Sequence, residues 1–142
     1  MQPDVAYLGQ KDAQQARIVQ QLIRDLNMDL VLRVLPTIRE KDGLAMSSRN
    51  QLLKSSSRRS SRVLFDALQE ARRLIQWGEH RGAVVVRRME KMIRQAPKGR
   101  VDYATVVDPE SLKQMRTIRK PALVLLAAWV GGVRLIDSDL IE

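Results

Sequence analysis

The sequence predicts an α/β protein. Residues 1–50 read as half of a doubly wound parallel-sheet domain, and residues 51–142 as a small α+β domain. Three observations carry this. First, the apolar run Val5-Ala6-Tyr7-Leu8 ends in Gly9, an amphipathic segment follows, and a second apolar run, Leu30 to Leu35, is closed by Pro36; strand, tight turn, helix and strand in that order make a parallel βαβ unit. Second, two helical periodicities and then three strand-like runs occupy the remainder. Third, the charge changes near residue 51: residues 1–50 hold seven Lys/Arg and six Asp/Glu, whereas residues 51–142 hold 18 and 10.

Each element has a local reason. Asp12 can cap a helix. Ile18, Val19, Leu22, Ile23 and Leu26 then recur on one helical face, and Asn27, which tolerates a left-handed backbone, is the stop. Leu30 to Leu35 is the second strand. A helix from about Arg58 to Trp77 gathers Leu64, Leu68, Ala71 and Ile75 on one face, with the preceding serines as caps and Gly78 as its end. A second helix, about Glu79 to Gln95, buries Val85, Met89, Met92 and Ile93 before Pro97-Lys98-Gly99 breaks it. Val101 to Val107 alternates as a half-buried strand, and Asp108-Pro109-Glu110 starts a short helical turn. Ala122 to Val130 is a strongly apolar strand, Gly131-Gly132 a turn, and Val133 to Ile136 a last strand. One βαβ unit cannot cover both faces of a parallel sheet, so strands that should precede Val5 are expected outside this chain.

Composition excludes several classes. There is no cysteine, which removes disulfides and thiolate chemistry and suits a cytoplasmic setting. The longest apolar run, Ala122 to Val133, is too short to span a bilayer, so no membrane partner is expected. The net charge of +9 leaves a basic interaction or nucleic-acid-binding module as the alternative function, with Arg58, Arg59, Arg62, Arg72 and Arg73 as its patch. One Phe, two Tyr and two Trp without an aromatic-basic motif disfavour nucleic acid, and a helix with Leu64, Leu68 and Ile75 inward must show polar groups outward.

Two segments carry chemistry. Gly9-Gln10-Lys11-Asp12-Ala13-Gln14-Gln15 sits where a parallel strand gives way to a helix, the place where open α/β sheets bind ligands. Gly9 permits close approach, Lys11 brings a point charge, and the helix N-terminus offers N–H groups to an anion. Asp12 and Gln15 lie one turn apart. Gly43 to Asn50, GLAMSSRN, suits neither helix nor strand; Ser47, Ser48 and Arg49 present hydroxyls and a guanidinium fork fit for a polyphosphate. Taken singly, each also reads as a plain βα turn or a serine-rich linker. The one histidine, His80, stands in Glu79-His80-Arg81 without partners and reads as a surface or capping residue.

PDVAYLGQKDAQQ, RDLNMDL and LPTIREKDGLAMSSRNQLL, in that order, resemble pantothenate synthetase, the pantoate–β-alanine ligase family. The likeness continues more weakly through VDYATVVDPESL to GGVRLID. It implies the second half of a Rossmann-like nucleotidyl-transferase parallel sheet followed by the small lid domain. It also implies an ATP-dependent condensation of pantoate with β-alanine through a pantoyl-adenylate, giving pantothenate, AMP and pyrophosphate. ATP would be substrate with Mg2+, with no metal ligand assigned in this chain, and the family forms homodimers. By the same resemblance Gly9, Gln10, Lys11, Asp12, Ile38, Met46, Ser47, Ser48 and Arg49 would bind ATP, with Lys11, Ser47, Ser48 and Arg49 catalytic and Met46 to Arg49 acting as a mobile KMSKS-type loop. Gln15 would bind pantoate.

The sequence departs from the family in places. Gln10 stands where the family often has Glu, Ala13 where it often has an aromatic residue, and Ser138 where RLIDN has Asn. The PTMGxLHxGH-type block, with its two phosphate-binding histidines, and the early substrate-binding glutamine are not in these residues. The expectation is therefore the C-terminal portion of such an enzyme, not competent for ligation alone.

Overall fold

The computed structural model describes residues 3–142. Strand β1 (Val5–Gly9) and strand β2 (Val31–Leu35) pair in parallel, with Val5 opposite Val31 and Gly9 opposite Leu35. Helix α1 (Ala13–Asp25) crosses between them and stops at Asn27, whose φ of 45° is left-handed as expected. The two-stranded sheet leaves much apolar surface open: Tyr7, Val31, Val34 and Leu35 are exposed, and so are Ile18, Leu22 and Leu26 of the α1 face, with only Ala16 of that helix buried. The periodicity of α1 is real, but no described element covers it.

The rest of the chain builds its own core. Helices α2 (Ser55–Ser61), α3 (Val63–Gln76) and α4 (Gly82–Gln95) precede an antiparallel sheet of β3 (Gly99–Val107), β4 (Ala122–Val130) and β5 (Val133–Ile141) in the order β3-β4-β5. The single helix expected from Arg58 is thus two, broken at Arg62. Ser57 and Ser61 are buried rather than capping, and Ser57 packs directly over Gly131 in the β4–β5 turn. Leu64, Leu68, Ala71 and Ile75 of α3 and Val85, Met89 and Ile93 of α4 are buried as their spacing requires, against Val124, Leu126, Ala128 and Val130. Leu123 and Leu125, pointing the other way, pack with Ala13 at the start of α1. Strand β4 is therefore covered on both faces, which is why its sequence is a continuous apolar run rather than an alternation.

Asp108-Pro109-Glu110 starts a single turn: Leu112 N–H donates to the Asp108 carbonyl at 2.9 Å, and the Asp108 carboxylate accepts from the Glu110 and Ser111 amides at 3.1 and 2.7 Å. One expectation is corrected. Strand β5 runs to Ile141 rather than Ile136. Its acidic stretch stays in the sheet because Asp137 pairs with Arg39 and Asp139 with Arg72 of α3.

A surface ion-pair cluster also ties α3 to α4. Arg73 and Arg88 both reach Glu70, and the Arg73 hydrogen bond leads in holding its carboxyl down at about 2. A depressed carboxyl contributes stability above its ordinary value of 4.5 and loses it as pH falls through about 2. Glu70→Gln is therefore expected to flatten the loss of stability across that window. Chemical denaturation at stepped pH checks this, and an unchanged slope would contradict it.

Candidate functional site

The βα turn after β1 is a single 3-10 turn, Gln10–Asp12, leading directly into α1. Asp12 makes no capping bond, so the first amides of α1 have no side-chain acceptor from it. Above Gly9 the space is open: a side chain there would meet no protein atom within 4 Å. Lys11 bends over this opening and donates from Nζ to the Met46 carbonyl at 3.1 Å. Partial burial lowers its pKa from the ordinary 10.5, while Asp12 and Asp137 pull the other way.

The GLAMSSRN stretch divides in two. Its first part is anchored. Arg39 and Ala45 bridge, Glu40 N–H donates to the Leu44 carbonyl at 2.8 Å and Met46 N–H to that of Ile38 at 3.0 Å, making a small hairpin whose tip is Gly43 at φ 93°. Leu44 and Ala45 are buried. Asn50 Nδ2 closes the stretch by donating to Glu40 Oε1 at 2.6 Å and to the Ala45 carbonyl at 3.1 Å. Between these anchors Met46, Ser48 and Arg49 are exposed, and Ser47 Oγ accepts from Arg49 N–H at 3.3 Å. The segment is thus the turn and return arm of a small hairpin, followed by a largely exposed four-residue tip, Met46 to Arg49, that runs into a 3-10 turn over Ser48–Leu52. Gly43 is part of the anchor, because a Cβ there would run into the Phe65 ring, and that ring also lies 5.0 Å under the Arg39 guanidinium. Gly43→Ala is expected to cost about 1–3 kcal/mol through the left-handed backbone and the overpacked ring. Thermal unfolding measures it, and a variant as stable as the parent would refute it.

Adjoining cavities collect the predicted residues. A cleft of about 370 Å³ is lined by Gly9, Lys11, Asp12, Ile38 and Met46 together with Tyr7 and Pro36. A smaller cavity of about 130 Å³ shares Lys11 and Asp12 and adds Gln15, Tyr103 and Asp137. An open hollow of about 560 Å³ shares Met46 and adds Ser47, Ser48 and Arg58. Arg49, exposed beside it, stands close enough for its charge to act on Lys11. Gln10 is the exception: it lines a separate cavity of about 190 Å³ with Arg17 and Leu140.

Sequence reasoning missed three residues of this site. Arg39 reaches Asp137 through two hydrogen bonds, 2.6 and 3.1 Å, across 98 residues of sequence, and a third bond of 3.0 Å goes to the Gly43 carbonyl. Burial pushes the Asp137 carboxyl up from its ordinary value, against the pull of Arg39. Ser138 Oγ donates to the Gln10 carbonyl at 2.7 Å. The available signal was the polar Asp137-Ser138 pair interrupting the apolar positions of the last strand.

The candidate basic patch is largely spent inside the chain. Arg58 pairs with Glu40 and Asp42, Arg62 with Asp66, Arg72 with Asp139 and Arg73 with Glu70. Four of the five arginines therefore face a carboxylate of the same chain, the Arg62 pair an exposed one, while Arg59 makes no ion pair among the described residues. His80 is exposed in the α3–α4 connection, where its carbonyl accepts from Ile118 N–H at 2.7 Å. No helix among the described residues is long and apolar enough to cross a membrane.

A cleft beyond the carboxyl ends of parallel strands, with a lysine at the βα turn, defines an α/β protein of the kind that binds its ligand at that edge of the sheet. The family model for pantoate-beta-alanine ligase matches residues 1–140, and the chain belongs to that family. It is 46% identical over 142 residues to the pantothenate synthetase of Moorella thermoacetica, covering all of this chain and 50% of that protein. It superposes on the crystal structure of pantothenate synthetase from Thermus thermophilus with a TM-score of 0.91 at 37% identity, covering 97% of this chain and 50% of the other. A pantoate-beta-alanine ligase from Francisella tularensis, complexed with beta-gamma ATP and beta-alanine, shares the fold at a TM-score of 0.67 and 24% identity, covering 98% of this chain and 44% of that one. The chain spans about half the length of the relatives it matches.

Proposed function

We propose that this chain supplies the phosphate side of an ATP site for joining pantoate to β-alanine. In the proposed reaction a pantoate carboxylate oxygen attacks the α-phosphorus of ATP, and the bond to the β-phosphate oxygen breaks, releasing pyrophosphate. The β-alanine amine then attacks the acyl carbon of the adenylate. The bond to the phosphate oxygen breaks, AMP leaves, and the amine surrenders a proton to give pantothenate.

The observation that carries this reading is the meeting of the Lys11 turn and Met46 at one cleft, tied by the 3.1 Å bond between them, with Ser47 and Ser48 lining the adjoining hollow that shares Met46. Gly9 and Asp12 form its wall, Ile38 and Pro36 offer apolar surface to the base, and Ser47, Ser48 and Arg49 offer donors to the departing pyrophosphate. Gln15, in the cavity that shares Lys11 and Asp12, would bind pantoate. Gln10 contributes through its backbone. Among the described residues no group of three metal-ligating side chains exists. Magnesium carried on ATP phosphates needs only one or two carboxylates, and Asp12 is the carboxylate lining the cleft. Magnesium bound there would neutralise phosphate charge. A cytoplasmic setting and homodimerisation of the complete enzyme belong to the same proposal.

The uncovered apolar face of β1, β2 and α1 supports the further reading that the chain alone binds nucleotide weakly and does not turn over. The test supplies ATP, pantoate and β-alanine to the chain alone and to the chain mixed with the half of a relative that it does not match. AMP and pantothenate in equal amounts from the mixture only is the expected result. Turnover by the chain alone would overturn the second reading, and silence from a mixture shown to associate would overturn the first.

A further inference from the structure

We propose that Asp137 and Ser138 are positioning residues that couple the Lys11 turn to the Met46–Arg49 tip by fastening both to strand β5. The inference rests on the nucleotide reading above for its consequence, and on the geometry alone for its mechanism.

Adjacent residues of a strand point to opposite faces. On β5 that alternation is used to hold two different segments. Asp137, opposite Leu126 of β4, faces the α3 side, where it grips Arg39 with both oxygens. Arg39 in turn lies on the Phe65 ring and binds the Gly43 carbonyl, so this grip sets the hairpin whose continuation is the Met46–Arg49 tip. Ser138 faces the other side and donates to the Gln10 carbonyl at 2.7 Å, so it sets the turn that carries Lys11. The bond from Lys11 to the Met46 carbonyl closes the circuit. Turn and tip lie 35 residues apart in sequence, and both take their position from the same two residues of β5. Both anchors are about 2% exposed, which limits competition from water on their side of each bond, and a bidentate carboxylate–guanidinium pair fixes direction as well as distance.

The test measures amide hydrogen exchange in the 15N-labelled chain, together with binding of the fluorescent analogue mant-ATP, for Asp137→Asn and Ser138→Ala. Asp137→Asn is expected to speed exchange of the Glu40 and Met46 amides about tenfold, the size of one lost net hydrogen bond, and to change the Gln10–Asp12 turn less, since there Asp137 acts on Lys11 only through its charge. Ser138→Ala is expected to do the reverse. Both are expected to weaken mant-ATP binding several-fold, while core amides of α3 and β4 keep their protection. Uniform acceleration through the core, or no local change, would overturn the proposal in favour of a merely structural role. If Asp137→Asn does not fold, Ser138→Ala decides by the same pattern. Variants that show the expected exchange pattern in a chain whose parent does not bind mant-ATP would refute the nucleotide reading and leave the two anchors established.

Discussion

Lys11→Met is expected to slow adenylate formation about 100- to 1,000-fold in the reconstituted enzyme, the usual loss when one preorganised charge at a developing anion is removed. Methionine keeps the apolar stem and gives up two things: the ammonium charge and the 3.1 Å bond to the Met46 carbonyl. The fold should lose little, since that bond is exposed and water can replace it. Lys11→Arg is expected to recover only part of the rate, because a planar fork does not occupy the position of a compact ammonium. Burial already lowers the Lys11 pKa, so the rate should fall on raising pH before the ordinary 10.5 is reached. Pyrophosphate exchange into ATP, measured beside thermal unfolding of the same samples, checks this. A loss below about tenfold would remove Lys11 from the phosphate site.

How much of this was legible in sequence follows from the range of each interaction. Ala122 to Val130 declared itself because a strand covered on both faces needs nine apolar residues in a row. The α3 and α4 faces declared themselves because helical spacing is local. The turn at Gly9 to Asp12 was legible for the same reason. The position of the GLAMSSRN anchor was not: Leu44 is buried against α3 and Asn50 is buried on Glu40, and neither contact leaves a periodic trace. The Arg39–Asp137 pair joins residues 98 apart, and only the finished sheet brings them together. The exposed face of α1 is the converse. Its pattern was read correctly as apolar, yet sequence cannot say whether a described element covers it.

Leu126→Ala is expected to cost about 2–5 kcal/mol, the range for truncating a fully buried leucine, or roughly 10 °C in melting temperature for a chain of this size. Leu126 is 0% exposed at the centre of β4, paired with Ala104 on one side and Asp137 on the other. Helices α3 and α4 cover it, and helices joined to a sheet by a shared core cannot collapse far into the space left behind. The loss should therefore sit high in that range. Leu22→Ala makes the control: it is as large a truncation, on an α1 position that is 48% exposed, and should change stability by no more than about 0.5 kcal/mol. The difference between the two tests where the stabilising core lies. If Leu126→Ala costs under about 1 kcal/mol, or Leu22→Ala costs as much, the division between a self-sufficient α3–α4–sheet core and an uncovered βαβ unit is wrong. Asp137 pairs directly with Leu126 across the β4–β5 ladder, so the same truncation is expected to loosen the Asp137 grip on Arg39. Leu126→Ala would then weaken nucleotide binding from the far side of the sheet, without touching the cleft.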